Sequence, residues 1–309
     1  MNPSRFHPLL LLLALAWLLA ACNGASPTGP TALPSALPAT EIVSPARPTD
    51  TPAIPTPTPE PLAATINGEP LTLAEYEAEL ALFQSAQADS GTNLATEEAA
   101  AWVLDSLIDA VLLAQAAAES GFVVDETSLQ ARIDELAAEL GGAQVLADWI
   151  AAHGYTEMSL RQALSREMAA AWMRDQIAAG VGETADQAHA RQILLYNSVQ
   201  AEQVLAQLQS GQDFEALAEA YDPLTGGDLG WFPRGYLISP AVEEAAFGLE
   251  PGQYSGVIES PLGFHIVQLV ERDPQHPLSP DARQALQLQA LNTWLTQRRS
   301  QSDIQVLLP

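Results

Sequence analysis

The chain has 309 residues, 48% of them hydrophobic, and a formal net charge of −26; all 12 basic residues are arginine. So acidic a surface argues against nucleic acid as a partner and against peripheral binding to anionic lipid. No His/Cys/Asp cluster has metal-ligand spacing, no glycine-rich phosphate loop follows a strand, and Gly-x-Ser-x-Gly is absent. Neither a metal nor a cofactor is therefore expected, and covalent catalysis has no recognisable nucleophile motif.

The first element in chain order is an apolar, leucine-rich stretch from Pro8 to Ala21, preceded by Arg5. A helix that spans a bilayer needs about 20 apolar residues, so this stretch has the length of a signal-peptide core instead. Leu19-Ala20-Ala21-Cys22 resembles the lipobox of bacterial lipoproteins, which implies a signal peptide over 1–21 and acylation of Cys22. Cys22 is the only cysteine, so no internal disulfide can form and acylation accounts for its presence. Two or three acyl chains anchor stably where one does not. Residues 22–62 are rich in Pro, Thr, Ser and Ala and read as an extended tether, because such a composition buries too little apolar surface to fold.

A helical region follows. A short strand and turn over Ala64–Pro70 lead to Thr72, which caps a helix with Glu75 three residues on. Apolar residues recur at helical spacing in Val103, Leu107, Val111, then in Leu129, Ile133, Leu136, Leu140, and then in Leu160, Leu164, Met168, Trp172. A shorter helix is expected over 143–152. Stripes this wide mean helices packed on each other.

Near Ala188 the pattern changes. A strand over 189–196, two helices over 198–209 and 213–220, and a glycine-rich loop over 226–232 are expected. Ser239-Pro240 then starts a helix, as an N-cap followed by proline should, and Gly248 ends it. Short strands over 256–259 and 263–271 complete a compact α+β unit. A Pro-rich hinge over 273–277 leads to one last helix, with Leu286, Ala290 and Trp294 on its apolar face. That face predicts packing back onto the first helical segment.

Three segments of this unit carry a resemblance: Gly227-Asp228-Leu229-Gly230-Trp231-Phe232 with Arg234-Gly235, Glu243-Glu244-Ala245-Ala246-Phe247, and Gly263-Phe264-His265-Ile266-Val267. Together they resemble the parvulin (PpiC-type) peptidyl-prolyl isomerase domain. The helical region, through Asn67-Gly68-Glu69-Pro70 and its helix pattern, looks like the chaperone domain of PrsA- and SurA-like foldases. The resemblance implies an α+β protein with a discontinuous helical domain, 63–184 plus 275–309, split by a parvulin-like insert over 185–274.

The activity so implied is rotation about an X-Pro bond, against a barrier of about 18–20 kcal/mol. An apolar cup for the proline ring and hydrogen-bonding groups that favour the twisted amide suffice for it. Carried over by position, His265 matches the last-strand histidine, and Leu229, Leu237 and Val242 match the cup. Ser260 matches a hydroxyl position, and Asp222 is the candidate acid. The family motif Ala-Arg-His-Ile-Leu stands here as Ala190-Arg191-Gln192-Ile193-Leu194, so Gln192 occupies the place of the first-strand histidine. His189 lies an odd offset away, on the opposite face of a strand. The implied partners are unfolded or newly exported polypeptides, with the membrane reached through the lipid anchor at the cell envelope. Three functions stay open: a foldase that isomerises X-Pro bonds, a non-catalytic chaperone that only holds extended peptide, and an envelope scaffold with a specific folded partner.

Overall fold

The computed structural model describes residues 60–91 and 94–308. Cys22, the leader and nearly all of the tether lie outside the described residues. By its contacts the chain forms two compact units. Among the described residues, one holds those up to Ser106, Thr127–Arg161 and those from Gln305; the other holds Leu107–Glu126 and Gln162–Ile304.

The first unit begins with the hairpin β1 (Leu62–Ile66) and β2 (Glu69–Thr72). The sequence predicts only one strand and a turn here. Asn67 and Gly68 adopt φ of 51° and 84°, the left-handed pair that a two-residue hairpin turn requires, so the chain doubles back and pairs Ile66 with Glu69. Thr72 caps α1 (Leu73–Ser90), its Oγ1 accepting the Glu75 N–H at 3.1 Å. Phe83 of α1 stacks on Trp102 of α2 (Thr96–Glu119) with centroids 4.5 Å apart, and the Tyr76 hydroxyl donates to the Ala100 carbonyl. α3 (Glu126–Leu140) and α4 (Ala143–Ala152) follow. The Tyr155 hydroxyl donates to Glu79. A short C-terminal strand, β7 (Ile304–Val306), adds to the hairpin in the order β2-β1-β7; its brevity left no periodic signal in the sequence.

In the second unit, α5 (Glu157–Ala179) from Gln162 onward and the later half of α2 form a helical part with α9 (Pro280–Ser300). Phe122 stacks on Trp172 at 4.7 Å. Arg299 Nε lies 2.6 Å from Asp109 Oδ1, Arg298 pairs with Glu119, and the Gln287 amide donates to the Ala178 carbonyl.

The rest of this unit is a four-stranded antiparallel sheet in the order β4-β3-β6-β5. Its strands are β3 (Thr184–Leu195), β4 (Asp228–Pro233), β5 (Ile258–Ser260) and β6 (Gly263–Pro277). Helices α6 (Ser198–Gln209) and α7 (Phe214–Tyr221) cover one face through Val204, Leu208, Phe214 and Ala218, packed on Ile193, Leu195 and Ile266. α8 (Pro240–Gly248) covers the other through Val242, Ala246 and Phe247, packed on Ala188, Ala190, Val267 and Leu269.

Two expectations are corrected here. From Asp228 onward the glycine-rich segment is strand, not loop: Ala188 pairs with Phe232 and Ala190 with Gly230. The expected hinge over Asp273–Pro277 instead continues β6, with Ala185 opposite His276 and Thr184 opposite Pro277. Pro274 is tolerated because it falls where the register shifts between Ala185 and Gln187, the kind of irregularity that accepts a residue without an N–H. The buried Gln187 amide then donates to the carbonyls of His276 and Pro277 at 2.8 and 3.1 Å.

Candidate functional site

The pleat of β3 decides which side chains can meet. Ala188, Ala190, Gln192 and Leu194 alternate onto the α8 face, while Ile193 and Leu195 face α6 and α7. On β6, Val267 lies opposite Gln192 and His265 opposite Leu194. Gln192 and His265 are thus diagonal neighbours on one face, and Ile258 of β5 stands directly across from His265.

They form a hydrogen-bonded line with Ser260. Gln192 Oε1 lies 2.8 Å from His265 Nδ1, and Ser260 Oγ lies 2.6 Å from His265 Nε2. An amide oxygen only accepts, so Nδ1 carries the imidazole proton and Nε2 is left to accept from the Ser260 hydroxyl. Ser260 Oγ in turn accepts the Leu262 N–H at 3.0 Å. His265 is 2% exposed. Burial pushes its pKa below the ordinary histidine value, because a charged ring would lose hydration that the neutral Gln192 and Ser260 do not replace.

A pH dependence follows, with a definite sign. Below about pH 6.5 the unfolded chain takes up a proton on this ring that the native protein does not. Stability from this group is therefore complete above about pH 6.5 and declines as pH falls towards the native pKa. In an NMR titration of the histidine ring protons, the His265 midpoint is expected to lie below the ordinary histidine value. A midpoint at or above about 6.5 would contradict the burial argument.

Gln192 is fixed through its backbone as well as its side chain. Its N–H donates to the Gly227 carbonyl at 2.8 Å. Gly227 has φ of 70°, and a Cβ there would stand 1.9 Å from the Gln192 carbonyl oxygen. Only glycine permits this approach, so the second glycine of the Gly226-Gly227 pair sets where β3 meets the loop before β4.

Beside this line the apolar residues form a cup. Leu229, Tyr236, Leu237 and Ile258 are half-buried against the core of Val242, Ala246, Phe247 and Val267. Leu229 and Leu237 keep accessible surface there. Val242 does not: at 3% exposure it is floor beneath the cup, correcting its assignment as a contact residue. Phe247, also buried, has the Arg234 guanidinium 4.2 Å from its ring centroid.

Asp222 is placed elsewhere. It caps the C-terminus of α7, and its carboxylate accepts from the N–H groups of Leu224 and Thr225 and from the Thr225 hydroxyl. These bonds, the Thr225 hydroxyl's first, hold its carboxyl below the usual carboxylate range. It organises the turn rather than touching His265. His189 lies on the other sheet face from Gln192, bonded to Asp228 Oδ1 at 2.8 Å and set beside Trp231.

Sequence reasoning missed Glu243. This carboxylate, 9% exposed, accepts the backbone N–H groups of Gly235, Tyr236 and Leu237 at 2.7, 3.0 and 3.1 Å. It therefore pins the loop that carries Leu237 into the cup. The available signal was a glutamate one residue after Val242 and four after Ser239, among the apolar positions of a short helix.

With this geometry in place, comparison with known proteins agrees on both parts of the chain. Residues 183–271 match the family described as PPIC-type PPIASE domain, and residues 56–144 match the SurA-like N-terminal domain. The foldase protein PrsA of Geobacillus sp. (strain WCH70) is 30% identical over 124 residues, 38% of this chain and 44% of that protein. The chaperone SurA of Nitrosospira multiformis is 33% identical over 144 residues, 40% of this chain and 32% of its own length. The PrsA of Caldanaerobacter subterraneus subsp. tengcongensis is 43% identical over 84 residues, 26% of this chain and 27% of that protein. The matched stretches span under half the length of each relative. The chain is an α+β protein that joins a SurA-like N-terminal domain to a PpiC-type, parvulin peptidyl-prolyl isomerase domain.

Proposed function

We propose that this chain is an extracytoplasmic foldase, lipid-anchored through Cys22, that isomerises X-Pro bonds in newly exported polypeptides and assists their folding. The observation that carries this reading is the Ser260–His265–Gln192 line on the sheet face that also bears Leu229 and Leu237. A cup of that kind takes the proline ring and strips water from the amide. The planar amide is the more dipolar form, so an apolar setting lowers the relative cost of twisting it. The buried neutral His265, held from both sides, keeps the wall of the cup rigid and polar at one defined place.

The domain division belongs to the same proposal: 63–184 plus 275–309 as a helical chaperone part around the insert 185–274. The bonds of α9 to Asp109, Glu119 and Ala178 support it, as they tie the last helix to α2 and α5. For the anchor the support is Leu19-Ala20-Ala21-Cys22 and the Pro-rich stretch after it. The names of the relatives, foldase and chaperone, point to unfolded polypeptide as the client.

Gln192 favours keeping a second reading, a holdase whose parvulin unit binds peptide without turning it over. Refolding assays separate the two. A client whose refolding is limited by a proline isomerisation is expected to refold several-fold faster with the protein present. A client without a slow proline phase is expected to show no such acceleration. Protection of both clients from aggregation, with neither refolding faster, would favour the holdase.

A further inference from the structure

A cup that takes proline has one source of X-Pro bonds always at hand, the chain's own Pro-rich stretch. Eleven of the chain's 23 prolines lie between Pro27 and Pro61, each preceded by a residue other than proline, so each forms an X-Pro bond. Such a bond prefers trans by only about 0.5–1 kcal/mol and takes tens of seconds or longer to turn over unaided. Within this run Ala32-Leu33-Pro34-Ser35 is followed directly by Ala36-Leu37-Pro38-Ala39, one Ala-Leu-Pro step written twice.

Charge favours this repeat as an occupant of the cup. Residues 22–40 carry no charge, in a chain whose net charge is −26. The cup is walled by Leu229, Tyr236, Leu237 and Ile258, none of them charged and all half-buried. A neutral, apolar segment covers such a wall without stripping water from a charge. It also meets no repulsion from an acidic surface on the way in. Apolar surface left open on a soluble body calls for a partner, and this one is covalently attached.

Length permits the contact. Residues 40–59 separate the repeat from Glu60, where the described chain begins. Twenty residues span up to about 70 Å when extended, whereas a compact unit of about 160 residues has a radius of gyration of only about 15 Å. A segment joined to its site by a linker of this kind is present at an effective concentration in the millimolar range. Substrates of enzymes half-saturate at about 1 μM to 1 mM, so the repeat competes even when it binds no better than an ordinary client.

We propose that the segment Ala32–Ala39 occupies the cup as an intramolecular client, its Leu33-Pro34 and Leu37-Pro38 bonds turning over in place until an external client displaces it. This inference rests on the isomerase reading above. No covalent bond forms or breaks and only the peptide bond rotates, so the occupant is never consumed. The cup is thereby covered when no client is present, and clients are served only above a concentration that the attached segment sets.

The test uses the full chain carrying Cys22→Ser, which keeps it unacylated, with isotope-labelled proline and leucine and an external Phe-Pro peptide in the same NMR sample. Exchange at Pro34 and Pro38 is expected to run at least about tenfold faster than in the same chain with His265→Ala, at a rate that dilution leaves unchanged. The variant Pro34→Ala/Pro38→Ala touches no residue of the cup. It is expected to lower KM for the external peptide about twofold or more, with kcat unchanged. Suppose the chain accelerates the external peptide but KM does not move, or Pro34 and Pro38 exchange at the His265→Ala rate. Either result would overturn the intramolecular client and leave the isomerase reading standing. Exchange at Pro34 and Pro38 that slows on dilution would assign the occupant to a second copy of the chain and also overturn it. If nothing is accelerated but Pro34→Ala/Pro38→Ala shifts the Leu229 and Leu237 methyl signals, the occupant stands and the isomerase reading falls. No acceleration and no shift would overturn both.

Discussion

Gly227→Ala is expected to destabilise the parvulin unit by about 3 kcal/mol or more, the range of substitutions that force a backbone apart. Two effects combine. The residue has φ of 70°, a conformation that costs an L-residue roughly 1–2 kcal/mol. The new methyl would also lie 1.9 Å from the Gln192 carbonyl oxygen and 3.0 Å from its carbon. Both neighbours are backbone atoms of a central strand, so no flexible side chain can give way. Relief requires β3 and the loop before β4 to separate, which breaks the Gln192 N–H bond to Gly227 and swings Gln192 away from His265. Gly226→Ala is the matched control. Gly226 also has a positive φ of 60°, but its nearest neighbour is Glu219 Cγ at 3.6 Å, an ordinary contact. Its cost should stay near the conformational term alone. Denaturant unfolding of the two variants checks this, and equal losses would show that the close approach is not what matters.

His265→Ala is the substitution with the largest expected effect on activity. The ring is 2% exposed and bonded on both sides. Its removal leaves the Gln192 amide oxygen and the Ser260 hydroxyl facing a cavity, and each unsatisfied group costs about 1–3 kcal/mol. Ile258, directly across from His265, loses its neighbour as well. The wall of the cup then loses both its shape and its fixed polar group. Loss of one preorganised polar group of this kind lowers a rate by about a hundredfold. A spectrum of the variant distinguishes that loss from unfolding.

Much of this site was legible in the sequence for a physical reason. Alternation along a strand is strict, so Ala190-Arg191-Gln192-Ile193-Leu194 and Gly263-Phe264-His265-Ile266-Val267 fix which residues share a face once the strands pair. Helix ends were equally legible where caps are explicit, as at Thr72 and Ser239-Pro240. What escaped depends on contacts distant in sequence. Whether Asp228–Pro233 is loop or strand is decided by its pairing to β3 and not by its own glycines. The run Asp273–Pro277 contains two prolines and reads as a hinge until Gln187 supplies the amide that its carbonyls need. Glu243 looks like a surface residue of a short helix, because nothing local shows that three backbone N–H groups converge on it. Asp222 had the residue type of an acid but the neighbours of a turn, with Pro223 and Thr225 beside it. Val242 was assigned to the cup by position, and packing with Ala246 and Phe247 places it one layer deeper.

The central claim is that the Ser260–His265–Gln192 line and its cup turn over X-Pro bonds although glutamine stands in the place of the first-strand histidine. The direct measurement is cis–trans exchange in a short Phe-Pro peptide near pH 7, with the wild-type chain and with folded His265→Ala. The account predicts clear acceleration by the wild type and a loss of about a hundredfold in the variant. Equal rates for both proteins, at the level of the peptide alone, would contradict it and leave a chaperone that holds its clients without isomerising them.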